Sequence, residues 1–210
     1  MMVSPMQQIS FRLRALLNDC RGTIAVEFAV IVPVMLAMFF GVVELSSGIA
    51  AKRKANTVAR TLSDLTSQMP SVADADLTSF GQTAKAIMTP YDPSQLKSSV
   101  TEVYVDPKTL VARVQWSKGL SIDASGNVTI AAAPPHAAKD VVVLPPGLTV
   151  GGTYLIWSEV HYTYKPAVGY IMSPNGVPID DLTYTRPRQT LCVIYPTPAA
   201  GAATPPCPTL

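Results

Sequence analysis

A long run without basic side chains most constrains how this chain can fold. Across residues 23–43 the only charged residue is Glu27, and residues 22–51 contain no Lys or Arg. At about 1.5 Å of rise per residue, a helix over 23–43 covers the hydrocarbon core of a bilayer, which is roughly 30 Å thick. Pro33 is costly inside a soluble helix but is tolerated as a kink in a membrane helix. The run therefore predicts a transmembrane helix.

The composition fits one ordinary domain joined to a membrane segment. The chain has 210 residues, and charged residues make up 14%, well below the roughly 25% that is usual for soluble domains. The formal net charge is only +2, which gives no signature of a nucleic-acid-binding protein, and we expect no polyanionic partner. Most of the 19 prolines fall after Met69, where they divide the chain into short extended pieces.

The order of periodic segments predicts an α+β fold. A long N-terminal helix, first transmembrane and then amphipathic, is followed by a small antiparallel-sheet head with one packed helix. We predict a basic leader at 1–22, a transmembrane helix at 23–45, an amphipathic helix continuing the same rod at 46–69, an α+β head at 70–195 and a Pro/Ala-rich, flexible tail at 196–210.

Within the head, the pattern predicts one helix and several strands. The apolar stripe of Asp74–Met88 indicates a helix, with Ser71 or Asp74 as its cap. Alternation on both sides of "DPKT" (106–109) predicts a β-hairpin. Further strands are expected at Asn127–Ile130, Val141–Leu144, Thr153–Tyr164 and Leu182–Tyr195.

Glu27 needs a specific explanation, because a lone carboxylate weakens insertion of an apolar span. If the chain were cut after Gly22, the new α-amine of Thr23 could pair with Glu27 of a neighbouring subunit. In a medium of low dielectric constant this attraction is much stronger than in water. The alternative is an interfacial carboxylate with no specific partner.

The same residues resemble a known family. The stretch "RGTIAVEFAVIVPVMLAMFFGVVEL" (21–45) resembles the N-terminus of the TadE-like (TadE/TadG) family, the minor pseudopilins of tight-adherence pilus systems. Its Ala-Val-Glu-Phe core (25–28), mid-helix proline and acidic exit residue carry the likeness. The spacing of Gly22 and Glu27 resembles the cleavage motif of Flp-type prepilins. Residues 160–166 and 183–193 resemble short stretches of the family's periplasmic part.

The resemblance implies a function, a location and a set of partners. A prepilin peptidase would cut between Gly22 and Thr23, and Glu27, Phe28 and Pro33 would serve assembly. The chain would be a single-pass protein of the bacterial inner membrane, with a cytoplasmic N-terminus and a periplasmic head. It would be needed to assemble or initiate a tight-adherence (type IV-related) pilus, or it would be built into the surface fibre of that pilus. Its partners would be other pilins, minor pseudopilins, the membrane assembly platform and the lipid bilayer; no enzyme activity and no cofactor are implied.

Two other classes of protein compete with this interpretation. One is a periplasmic binding protein unrelated to pili, either membrane-tethered or secreted; the secreted form would use the apolar run as a signal sequence, cut after Ala50. A membrane-bound hydrolase would need a nucleophile–base pair, and His161 lacks an accompanying G-x-S-x-G motif and falls on a strand face. "RPR" (186–188) is either an anion clamp or an exposed strand edge. Four aromatic residues either pack in the sheet core, which is the commoner outcome, or offer a stacking surface for sugars or a partner subunit: Tyr154, Trp157, Tyr162 and Tyr164.

The three cysteines do not have the spacing of a metal site, and we predict no metal ligands. Cys20 belongs to the leader. With the head in an oxidising compartment, Cys192 and Cys207 either form a disulfide that holds the Pro-rich tail or remain free thiols. The sequence leaves both possibilities open.

Overall fold

The computed structural model describes residues 22–166, 175–199, 201–202 and 205–208. The predicted leader at 1–22 therefore lies outside the described residues, except for Gly22. The chain divides into two compact units between Leu45 and Ser46. Helix α1 (Thr23–Ser67) contributes to both units, and each unit is described by itself.

The unit that begins at Ser46 is an α+β domain, as predicted. It contains the second part of α1, helix α2 (Asp74–Met88) and a short 3-10 turn (Pro93–Gln95). Its strands are β1 (Leu96–Val105), β2 (Ala112–Ile122), β3 (Val128–Ile130), β4 (Val141–Val142), β5 (Tyr154–Tyr164) and β6 (Val177–Thr185). The strands form one sheet in the order β3-β2-β1-β5-β6, with β4 also paired to β2, and all pairings are antiparallel.

One face of the sheet packs against the two helices. The second part of α1 buries residues at helical spacing, and these are Ala51, Ala55, Val58, Ala59 and Leu62. In α2, a Cβ on Gly81 would lie 2.4 Å from a methyl carbon of Val128, so only glycine permits this approach to β3. A second apolar cluster forms where Leu144 packs with Val103 and Leu155.

The hairpin is confirmed as β1 and β2, and α2 has the predicted bounds. The cap of α2 differs from the prediction. Asp76, rather than Ser71 or Asp74, accepts a hydrogen bond of 2.9 Å from the N–H of Ala73. This carboxylate lies in the first turn, where it also interacts favourably with the helix dipole.

The predicted strand at 182–195 is confirmed only over 182–185 and is wrong from residue 186 onward. Strand β6 ends at Thr185, and Pro187, which has no N–H to donate, follows two residues later. The chain then runs as a strap, which we define as residues 188–197. The N–H of Arg188 donates to Ser67, and its guanidinium lies 2.5 Å from Asp64. "RPR" is therefore not a strand edge, and its second arginine pairs with α1.

The strap joins the ends of both helices to the sheet. Ile194 donates its N–H to Pro70 and accepts from the N–H of Val72. Cys192 is buried and forms a disulfide with Cys207. The hydroxyl of Tyr154 donates to the carbonyl of Pro208, so described residues of the C-terminal segment are held against the sheet.

We expect loss of this disulfide to lower the stability of the domain. The bond links residues 15 apart, and closing a loop of that size contributes about 3 kcal/mol, mainly by restricting the unfolded chain. Cys192→Ser should lower the free energy of unfolding of the full chain in detergent by about this amount. Cys20→Ser is the control and should change nothing. Equal stability of oxidised and reduced wild-type protein would contradict this.

Candidate functional site

The first part of α1 exposes its apolar side chains. Ile24 is 76% exposed and Phe28 is 65% exposed. An 18-residue window of this helix has a mean hydropathy of 2.4, and none of it is buried within the chain. Such a surface is unfavourable in water and matches the requirements of a bilayer. Among the described residues, α1 is the one helix long and apolar enough to cross a membrane.

Glu27 lies on this exposed helix about one turn after its first residue. It follows Thr23 by four positions, which corresponds to about 6 Å along the helix axis. Its side chain is exposed, and no residue in the described part of the chain forms a hydrogen bond or ion pair with it. A cation supplied by another molecule could therefore reach the carboxylate.

The other predicted site residues lie in the same stretch. Gly22 immediately precedes α1, is exposed, and has open space where a Cβ would stand. Pro33 lies inside α1 without ending it. The structure thus places Gly22, Thr23, Glu27, Phe28 and Pro33 along the first three turns of one exposed segment.

Basic residues follow the apolar run on the same helix. Lys52 and Arg53 are exposed, whereas the ammonium group of Lys54 donates to the carbonyl of Ile87 over 2.7 Å. The sequence shows these residues only as a basic cluster that flanks the span. The structure shows that Lys52 and Arg53 are exposed, whereas Lys54 forms a hydrogen bond within the domain.

Sequence patterns did not identify Glu102, which is the most unusual ionisable group of the domain. Its side chain is 0% exposed, and burial raises its pKa to about 8. One carboxyl oxygen accepts from the N–H of Val193 over 2.6 Å, and the other accepts from the indole N–H of Trp116 over 3.1 Å. Glu102 therefore links the sheet to the strap.

The signal that could have identified Glu102 is its position in the hairpin. It is cross-strand partner to Trp116, and the register of β1 and β2 shifts directly after it. Such a β-bulge redirects side chains from one face to the other, which simple alternation cannot predict.

A groove of about 430 Å³ lies on the sheet beside the 131–136 segment, and its lining includes Lys97, Ser99, His136, Glu159 and His161. Its polar groups do not form a nucleophile–base pair in the described residues. The hydroxyl of Ser99 donates to Glu159 over 3.0 Å, and His136 contacts the same carboxylate at 2.7 Å. His161, which the sequence places on a strand face, is exposed and pairs with Asp180.

The aromatic residues of β5 are mostly core residues. Tyr154, Tyr162 and Tyr164 are buried, as predicted. Trp157 is half-buried and stacks with His136 on one side and with Tyr184 on the other, at centroid distances of 4.5 and 5.9 Å. None of these rings forms an open stacking platform.

Comparison with known proteins gives one match, and it falls on the exposed helix. Residues 22–63 match the family model described as TadE-like protein. No curated protein and no solved structure matches the chain. The TadE-like family is a structural family associated with the Tad pilus, and it is not known for enzymatic activity. The resemblance predicted from Glu27, Phe28 and Pro33 is thus confirmed: residues 22–63 are similar to the TadE-like family.

Proposed function

We propose that the chain is a pilin-like subunit, anchored by α1 and needed to assemble or initiate a tight-adherence pilus. A prepilin peptidase removes residues 1–22, and α1 then begins at Thr23 with a free α-amine. The observation that carries the proposal is the exposed apolar helix with Glu27 as its one charge in residues 23–43. The family match over residues 22–63 supports it.

In this proposal Glu27 fixes the register between neighbouring helices. The amine of one subunit pairs with the carboxylate of the next, offset by about one helical turn. Both charges lie where water is scarce, so leaving either of them unpaired is costly. Phe28 and Pro33 belong to the surface that packs against neighbouring helices, and the domain from Ser46 onward meets other minor subunits or the assembly platform.

The proposed location is the inner membrane, with the leader in the cytoplasm and the sheet domain in the periplasm. The disulfide of Cys192 and Cys207 supports an oxidising compartment for that domain. A cut after Ala50, as in a secreted binding protein, would also remove Ser47, whose carbonyl accepts a hydrogen bond of 3.0 Å from Tyr91.

The proposal is tested by deleting the chain from cells that make the pilus. We expect the deletion to abolish surface pili and the full chain supplied in trans to restore them. In the restored cells the protein should fractionate with membranes or with sheared pili. Normal piliation in the deletion strain, with the protein free in the periplasm, would favour the secreted binding protein instead.

A further inference from the structure

Two exposed cations follow the span at a fixed distance along the same helix. Lys52 and Arg53 are seven and eight residues after Leu45, which corresponds to about 10–12 Å along the axis. The headgroup region extends about 5–7 Å beyond the hydrocarbon core. Long basic side chains bridge the remaining distance by extending their charged ends toward the interface.

A third cation stands where the sheet meets the same part of α1. The ring of Tyr164 lies 3.7 Å from the position that a Cβ on Gly48 would occupy. Tyr91 packs edge-on against that ring and donates its hydroxyl to Ser47. Lys165 follows directly in the chain and is exposed. We call Lys52, Arg53 and Lys165 the basic patch.

The acidic groups around the basic patch already have partners. Asp92 accepts from the N–H of Ser94 over 2.9 Å, and its pKa is lowered mainly by hydrogen bonding from Ser94, with a smaller contribution from Lys165. Asp181 accepts from the side-chain amide of Asn56 over 2.8 Å. Lys52, Arg53 and Lys165 carry three positive charges, and these two carboxylates are already engaged by hydrogen bonds.

We propose that the basic patch binds the headgroups of anionic phospholipids in the membrane that holds α1. Charge complementarity and the short chain distance to the span favour lipid over a soluble acidic partner, because lipid phosphates are always present at this depth. The inference rests on the membrane anchoring in the proposed function, but it does not depend on cleavage or on Glu27.

The test uses the full chain in nanodiscs of phosphatidylcholine, with and without a third of the lipid replaced by phosphatidylglycerol. Trp fluorescence reports the melting temperature of the domain. Because lipid that binds only the folded domain stabilises it, we expect a rise of about 2–5 °C with the anionic lipid at low salt. High salt should remove the rise, since exposed charges are screened.

Matched variants distinguish an effect of the basic patch from an effect of the net charge of the protein. Lys52→Gln, Arg53→Gln and Lys165→Gln together should abolish the rise. The control changes Lys108, Arg113 and Lys139 to Gln, which removes the same residue types near the hairpin turn and β4, and it should keep the wild-type response. A rise that persists in the patch variant would overturn the proposal.

Two further measurements distinguish lipid phosphate from soluble phosphate, and a failure of lipid binding from a failure of membrane anchoring. Soluble glycerophosphate added to phosphatidylcholine nanodiscs should give no rise; the same rise there would overturn a lipid-specific patch. All variants should float with vesicles, and failure of the wild type to float would remove the anchoring on which the inference rests. If it floats without any lipid-dependent rise, the patch proposal is wrong and the pilus proposal is unaffected.

Discussion

Glu27→Gln is expected to leave the protein in the membrane while reducing assembled pili at least about tenfold. The amide keeps the size of the side chain but removes its charge and replaces one acceptor oxygen with a donor NH2 group. The α-amine of the neighbouring Thr23 then lacks its counter-charge, and an unpaired charge in the bilayer costs several kcal/mol. A cost of only about 1.4 kcal/mol already lowers an association constant tenfold. Sheared pili quantified against the protein in the membrane fraction give the measurement.

Two control variants make this result specific. Glu159→Gln removes one carboxylate from the sheet domain, so it should leave pili at the wild-type level. Glu27→Asp keeps the charge on a shorter side chain and should assemble better than Glu27→Gln. Wild-type amounts of pili from Glu27→Gln would contradict the pairing and reduce Glu27 to an interfacial carboxylate.

Glu102→Gln should flatten the pH dependence of stability between pH 5 and pH 8. Because burial raises the pKa of Glu102 from its ordinary 4.5 to about 8, the folded state binds this proton more tightly than the unfolded state. The stabilisation is complete below about pH 4.5 and decreases as pH rises toward 8. At about 1.4 kcal/mol per pKa unit, the full loss is on the order of 5 kcal/mol.

The measurement is denaturant unfolding of the full chain in detergent at several pH values. Wild type should lose stability steadily above pH 5, whereas Glu102→Gln, which stays uncharged, should not. Because both oxygens of Glu102 accept from N–H donors, the NH2 group of the amide faces one of these donors, and the resulting loss of stability does not depend on pH. Asp123→Asn is the control. Hydrogen bonds from Asn127 lower the pKa of Asp123, so the contribution of Asp123 to the pH dependence of stability falls at acidic pH, and this variant should keep the wild-type slope between pH 5 and pH 8. Parallel profiles for wild type and Glu102→Gln would show that Glu102 does not titrate in this interval.

The elements with strong local signals could be predicted from the sequence. The bounds of α2 follow from its apolar stripe and from the residues that end it, and β5 follows from a long β-branched and aromatic run ended by proline. The stretch 23–43 is recognisable because few helices of soluble domains are as long and as uniformly apolar. These features depend on neighbours in the chain, which sequence periodicity records directly.

Features fixed by distant contacts could not be predicted in the same way. The stretch 186–195 is apolar enough to indicate a strand, yet its N–H groups bond to Ser67 at the end of α1, to Pro70 just after it and to Glu102 instead of extending β6. The pairing of Cys192 with Cys207 stayed open for the same reason. Burial of Glu102 depends on Trp116 and Val193, which are 14 and 91 residues away in the chain.

The most direct test of the whole account is the first residue of the mature protein. Protein extracted from the membranes of pilus-forming cells is analysed by N-terminal sequencing and intact mass. The account predicts that the chain begins at Thr23, with a free α-amine four residues before Glu27. A chain that retains residues 1–22, or one that begins at Ala51, would contradict it.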